Sequence, residues 1–337
     1  KIYSMSIYNG KNNQMRRKKL DKIQYRKQIA DVARDFYLSK LTIADISKKY
    51  NLSRYLITKY LDDAVSTGLV KITINAPIDR NLQLEAEFKK MFGIQNAYIL
   101  MDGDAANDDD ENIIEFSAQT IQDYIQSMRT IGVSWGGTVS NIINHFQTKV
   151  KEDLVFTQIM GDNLKYNSAV GSTPLVQKAA AKYEAHYLTV PAPLYIINNQ
   201  IRTALEKEPA FIRAFTTMNK MDMIFAGIGT LASIDSIQVW RQHKDQIFPK
   251  VDLQKVVGML YGRPFDINGN FLNPGDSDKL FGASIDTILA VPTRLAIVKS
   301  KFKSRALLGA LRGNLITDVI TNESVANRVL MEMRTDQ

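Results

Sequence analysis

In this 337-residue chain the residues whose grouping could do chemistry are glycines, serines and threonines in short turns. Thr130-Ile-Gly-Val-Ser134-Trp-Gly136-Gly137-Thr138-Val runs from an apolar stretch through a glycine-rich turn into a helical pattern. Glycines at such a turn let backbone N–H groups converge on an anion at a helix N-terminus, and Ser134 and Thr138 add hydroxyl donors. Ala226-Gly227-Ile-Gly229-Thr230 ends a second apolar run in the same way, and Gly171-Ser172-Thr173-Pro174 caps a helix with proline at its first position. A glycine after a strand is also an ordinary tight turn, so each loop alone reads either way. Two loops facing one crevice favour a ligand. Neither glycine-rich loop holds a histidine or carboxylate, which general acid/base catalysis needs within hydrogen-bond reach. There is no cysteine, which removes thiol nucleophiles, disulfides and thiolate metal sites and fits a cytoplasmic protein. His145, His186 and His243 are scattered rather than spaced as ligand pairs. The acidic run from Asp104 to Glu111 lacks the spacing and glycine of an EF-hand, and reads as a solvated loop feeding negative charge into the next helix.

A second constellation lies at residues 42–74. Thr42 can cap a short helix with Ile43 and Ile46 inward and Asp45 in a capping-box-like pair. A tight turn at Tyr50 and Asn51 leads to a second cap, Ser53, after which Leu56, Ile57, Tyr60, Leu61, Ala64 and Val65 recur at helical spacing. Arg54, Tyr55, Thr58 and Lys59 project from the first turns of that second helix, where a recognition helix presents side chains to the major groove, while Lys48 and Lys49 suit phosphate contact. Gly68 ends the helix, and Val70, Ile72 and Ile74 alternate with Lys71 and Thr73 as a strand and wing would. Charge supports nucleic acid more strongly than the pattern does. Residues 1–75 carry 16 Lys and Arg against 6 Asp and Glu, whereas the remainder carries 27 against 29. A basic module on a near-neutral body suits counterion release from DNA. The alternative for the cluster Arg16 to Lys19 is a solvated tail.

These residues need a scaffold. With 45% hydrophobic residues the chain can bury one small and one large core. No apolar run of membrane-spanning length occurs, no signal peptide is indicated, and no period of 20 to 50 residues repeats. Residues 76–92, with Pro77, Leu82, Leu84, Phe88 and Met91, read as a connector with an amphipathic helix. Beyond it, β-rich apolar runs at 97–101, 130–134, 154–160, 185–190, 222–228 and 286–291 alternate with helical patterns at 111–128, 138–148, 174–184 and 303–313. Such alternation implies an α/β fold with a doubly wound parallel sheet, whose ligands sit beyond the carboxyl ends of the strands. The expected organisation is a winged helix-turn-helix over 1–75, a connector over 76–90 and a ligand-binding and oligomerisation domain over 91–337.

From about residue 25 to 332 the chain resembles the SorC family of bacterial sugar-metabolism regulators. The resemblance rests on Gly132-Val-Ser-Trp-Gly-Gly-Thr138, Pro191-Ala-Pro-Leu194, Met221-Asp-Met-Ile-Phe-Ala-Gly-Ile-Gly229, Val257-Gly-Met-Leu-Tyr-Gly-Arg-Pro-Phe-Asp266 and Lys303-Ser-Arg-Ala-Leu-Leu-Gly-Ala-Leu-Arg-Gly-Asn-Leu-Ile316, in that order. It implies an effector domain similar to glucosamine-6-phosphate deaminase and ribose-5-phosphate isomerase, used as a sensor of a phosphorylated sugar rather than as an enzyme. Ser134, Gly136, Gly137 and Thr138 would then hold the phosphate, Gly229 and Thr230 would line the crevice, and Lys303 would supply a cation. From spacing alone Lys303 reads equally as part of a solvated run with Lys299, Lys301 and Arg305. Met259 departs from the family, whose members often carry an acid there, and a thioether binds hydroxyls poorly. No cofactor or metal is implied. The partners implied are double-stranded operator DNA, the sugar phosphate and further copies of the chain, as a homodimer or homotetramer on a palindromic site.

Overall fold

The computed structural model describes residues 23–70, 79–103, 106–163 and 174–335. The expected wing beyond Val70, Pro77, the turn Gly171-Ser172-Thr173 and the basic cluster Arg16 to Lys19 lie outside the described residues. Contacts divide the chain into two units, Lys1–Pro77 and Ile78–Gln337.

In the first unit a helix over residues 23–37 precedes Ile43–Tyr50 and Arg54–Ser66. Thr42 caps the second helix by accepting the Asp45 amide at 3.2 Å and donating to the Asp45 carboxylate at 2.6 Å. Asn51 ends it in the left-handed region at φ 52°, which turns the chain into the Ser53 cap on the Leu56 amide. Ile46, Ile57, Tyr60, Leu61 and Ala64 are buried with Ile29, Val32 and Ala33 of the first helix. Each large side chain so buried contributes roughly 1.5–3 kcal/mol. Val65 differs from its expected place and is exposed.

Among the described residues the second unit has nine strands: β1 (Asn96–Leu100), β2 (Thr130–Val133), β3 (Val155–Gln158), β4 (His186–Leu188), β5 (Met223–Gly227), β6 (Gly258–Leu260), β7 (Arg263–Phe265), β8 (Thr293–Val298) and β9 (Asp318–Asn322). Seven form one sheet in the order β1-β9-β8-β5-β2-β3-β4, with every pairing parallel. Successive residues of its central strands enter different cores. Ile224 and Ala226 of β5 join a core with Phe88, Met218, Leu307 and Val325, whereas Met223 and Phe225 join another with Ile121, Val139, Ile142 and Ala179. Helices therefore cover both faces, as the doubly wound expectation requires.

Three local readings change. Residues 286–291, expected as a strand, lie largely in a helix, Ile285–Leu289, which Ser284 caps by accepting the Thr287 amide at 3.0 Å. The strand is β8, after Pro292, and both β8 and β9 carry buried polar residues that mask their period. Arg294 in β8 donates to the carbonyls of Leu289, Val291, Asn314 and Leu315, and Asp318 in β9 accepts from Asn96 and Tyr124. The expected connector helix is Leu82–Phe92, and it packs on the second unit. Leu84 and Phe88 enter the core, and Glu85 binds Arg80 twice, at 2.6 and 2.7 Å, and accepts the Ile99 amide of β1. The acidic run, expected as a loop, is helical from Ala106 onward, in Ala106–Ser127.

Candidate functional site

From β2 the chain steps outward through β3 to β4, then returns beside β2 as β5 and steps the other way through β8 to β9. The order reverses between β2 and β5, so their carboxyl ends flank the crevice where open α/β sheets bind ligands. The two loops leaving those ends are the glycine-rich ones. They meet: a Cβ on Gly227 would lie 3.7 Å from the Thr138 Cβ.

Gly136 sits at φ 147°, a conformation that side-chain-bearing residues rarely adopt, and starts the helix Gly137–Asn144. No side chain caps that helix, so its first-turn amides keep their donors free of a side-chain partner. Lack of a cap is not distinctive by itself, because the helices starting at Pro209 and Ser304 lack one too. What distinguishes this start is the open space where Cβ atoms on Gly136 and Gly137 would stand. That space is a cleft of about 240 Å³, slightly below the roughly 300 Å³ at which drug-sized sites begin, and so suited to a small compact ligand.

Lys303 borders the same cleft from more than 160 residues away in sequence, between a 3-10 turn, Lys301–Lys303, and the helix Ser304–Arg312. Its basic neighbours have other surroundings: Lys299 pairs with Asp110 and Arg305 with Glu332, while Lys301 is exposed. Lys303 is half-buried, its ammonium rests over the Phe302 ring at 5.8 Å, and among the described residues it has no carboxylate partner. Burial, with the Lys299 charge adding to it, holds its pKa below the ordinary lysine value. An anion would relieve that penalty.

The structure thus gathers Ser134, Gly136, Gly137, Thr138, Gly229 and Lys303 around one cleft. Thr230 is not among its lining residues and starts the helix Leu231–Asp235 next door. The reading of the loops misses the hairpin β6–β7 as a wall. Tyr261 and Gly262, at φ 52° and 75°, make the two-residue turn that joins these strands, as a type I′ hairpin demands. The buried Arg263 guanidinium fixes the turn through Asp278 at 2.7 Å and the Ala283 carbonyl at 2.8 Å. Met259 is then tied to the β5 loop, its N–H donating to the Gly229 carbonyl at 2.9 Å and its carbonyl accepting the Gly229 N–H at 2.8 Å. A Tyr-Gly pair between two short apolar runs was the available signal. Ser134 and Trp135 also line an adjoining cavity with Gln158, Asn163 and Thr189. Among the described residues the cleft is lined by no histidine, aspartate or glutamate, and no group of acidic or histidine side chains could hold a metal.

The first unit presents its candidates separately. Arg54, Tyr55, Thr58 and Lys59 are exposed on the helix that Ser53 caps, with Tyr55 at 80% exposure. Lys48 is exposed in the last turn of the preceding helix. Lys49 binds Asp35 at 2.7 Å, beside the Tyr50 hydroxyl, and this pairing holds the Asp35 carboxyl below its usual range. Thr42 is occupied as a cap, and Thr58 donates back to the Arg54 carbonyl at 3.1 Å.

Comparison with known proteins bears on both units. Residues 76–331 match the Sugar-bind family, described as "Putative sugar-binding domain". The chain belongs to this family. Full-length relatives extend the likeness beyond the Sugar-bind region. The sorbitol operon regulator of Klebsiella pneumoniae is 24% identical over 305 residues, covering 90% of this chain and 97% of that protein. The transcriptional regulator LsrR of Enterobacter sp. (strain 638) is 24% identical over 317 residues, covering 90% and 92%. The crystal structure of the full-length Klebsiella sorbitol operon regulator superposes with a TM-score of 0.62 at 22% identity, covering 90% of this chain and 99% of that one. A transcriptional regulator from Streptococcus pneumoniae TIGR4 gives 0.65 at 19% identity over 76% of this chain and 97% of that one. The SorC resemblance is borne out, and the cleft lies wholly within the Sugar-bind region. Among the described residues no helix is long and apolar enough to cross a membrane.

Proposed function

We propose that this chain is a DNA-binding transcriptional regulator of a carbohydrate-utilisation operon, and that a phosphorylated sugar in the β2/β5 cleft sets its affinity for operator DNA. The observation that carries the ligand half is the half-buried Lys303, without a carboxylate partner among the described residues, beside a glycine helix start whose amides no side chain caps. Both features stabilise a phosphate, the amides by directional donation and the ammonium as a point charge. Ser134 and Thr138 would add hydroxyl donors, and Gly229 would let the hairpin approach.

The DNA half is supported by the basic N-terminal unit, by its helix-turn-helix and by relatives named as an operon regulator and a transcriptional regulator. Arg54 and Tyr55 would meet bases, with Thr58 and Lys59 beside them. Lys48 would meet phosphate, and Lys49 would do so only by sharing or leaving Asp35. Thr42 and Ser53 would serve by setting the two helix starts. Two such units on a palindromic operator imply a homodimer or homotetramer in the cytoplasm, assembled through residues 78–337. An enzyme reading has less support, because proton transfer needs a titratable group at the reacting atom and the described lining offers only Lys303 and the buried Tyr261.

A ligand changes operator affinity only through a difference in its own affinity for the DNA-competent and DNA-incompetent states. The test is operator binding by fluorescence anisotropy, titrated with sugar phosphates and with the parent sugars. A response to phosphorylated members alone is expected, and its direction distinguishes induction from corepression. An equal response to the unphosphorylated sugar overturns the phosphate assignment.

A further inference from the structure

The walls of the cleft differ in what they offer a ligand. Hydroxyls come from Ser134 and Thr138 at the glycine-rich turn and from Ser233 and Ser236 after β5. The hairpin wall offers almost none. The backbone N–H and carbonyl of Met259 are both taken by Gly229, at 2.9 and 2.8 Å. The Tyr261 hydroxyl donates to the Leu315 carbonyl at 3.2 Å. Met259 and Tyr261 are both buried, and Ile228 and Ile234 continue the apolar lining. A sugar carbon held against this wall meets a thioether and hydrocarbon. A hydroxyl on that carbon gives up its water partners and gains only the weak acceptor of a methionine sulfur.

We infer that Met259 determines specificity, and that the effector is a deoxygenated sugar phosphate whose hydroxyl-free carbon packs on the β6–β7 hairpin. This rests on the phosphate reading of the cleft, since the phosphate is what fixes which carbon faces Met259. An apolar wall rejects an added hydroxyl by about a hundredfold at most, because the rest of the molecule still fits, so the expected preference is about ten- to a hundredfold.

The experiment is calorimetric titration of the full chain and of its Met259→Gln and Met259→Leu variants. Probes are inorganic phosphate and matched pairs of monophosphates: ribose 5-phosphate and glucose 6-phosphate, each against its 2-deoxy and 3-deoxy counterparts. Expected is a deoxy member bound about ten- to a hundredfold tighter than its parent by wild type and Met259→Leu. In Met259→Gln, whose nearly isosteric amide supplies a donor and an acceptor, that preference falls below about threefold while inorganic phosphate binds as before. Tighter or equal binding of every hydroxylated member by wild type overturns the inference, as does a preference that survives Met259→Gln. If neither inorganic phosphate nor any sugar monophosphate binds, the phosphate reading itself has failed. Binding of phosphate without a deoxy preference overturns this inference and leaves the phosphate reading of the cleft standing.

Discussion

The helix starts of the N-terminal unit and the helix start at the cleft treat the same unsatisfied backbone donors in opposite ways. Thr42 and Ser53 each place a side-chain oxygen on an amide of their own first turn, at 3.2 Å in both cases. Gly136 and Gly137 place nothing there. A capped terminus settles its own electrostatics and serves as a rigid mount for side chains such as Arg54. An uncapped one surrounded by glycine leaves its donors and its space to another molecule. On the proposed function, one region would read its target with side chains and the other would hold its ligand with backbone.

The largest expected effect tests where the gripping unit begins. Removing residues 1–77 should leave a folded protein with the phosphate-dependent thermal shift. Removing residues 1–90 also strips Leu84 and Phe88 from the core, a loss of roughly 3–6 kcal/mol for the two side chains. Chemical denaturation of both fragments checks this, and equal stability would mean that the helix Leu82–Phe92 is a true connector.

Gly137→Asp comes next. A Cβ at Gly137 meets open space, so the fold should hold, but the carboxylate puts charge and bulk where the anion would lie. Effector affinity should fall at least about a hundredfold, near 2.8 kcal/mol, with operator binding unchanged. Arg54→Ala makes the reverse incision. Specific operator binding should weaken by roughly 1–3 kcal/mol with relaxed sequence preference, while Lys48→Ala weakens all duplexes alike. Equal losses for Arg54→Ala on operator and random DNA would remove base readout from that residue.

Lys303→Ala should cost about 1.5 kcal/mol of effector affinity, as for a hydrogen bond to a charged group. Its pH dependence carries a sign. The folded state holds the Lys303 pKa below the ordinary value, so charging it opposes folding below that pKa, and the penalty disappears as pH rises through it. A bound phosphate raises the pKa again. Affinity should therefore increase as phosphate loses its second proton near pH 6 and decrease as pH rises through the lowered lysine pKa. Lys303→Ala should erase only the alkaline decrease. Ser53→Ala is the smallest change: about 1 kcal/mol of stability in the N-terminal unit, read by its melting, with effector affinity untouched.

The contrast between the two regions also explains what could be read from sequence. Caps advertise themselves, and Thr42 and Ser53 stand where hydroxyl residues before a helical period place them. The first helix, residues 23–37, is less legible, because Arg26, Lys27, Asp31, Arg34 and Asp35 interleave with the helically spaced Ile29, Val32, Ala33 and Phe36. Strands β1 to β5 announce themselves as apolar runs, whereas β8 and β9 do not. Arg294 is accommodated by carbonyls at Asn314 and Leu315, and Asp318 by Asn96 and Tyr124, partners that no local window contains. The glycine-rich loops are visible as motifs. Their opposition across the β2/β5 reversal, the separation of Lys303 from its basic neighbours and the hairpin wall at Met259 depend on topology, which spacing does not encode.

The glycine helix start has a consequence for how such a protein diversifies. An anchor made of main-chain amides survives almost any exchange of side chains around it, short of blocking the glycines themselves. Residues of the opposite wall can therefore vary one at a time without loosening that anchor. If the phosphate reading holds, a lineage inheriting this cleft would change which molecule it senses through a position such as 259 and keep the common handle throughout.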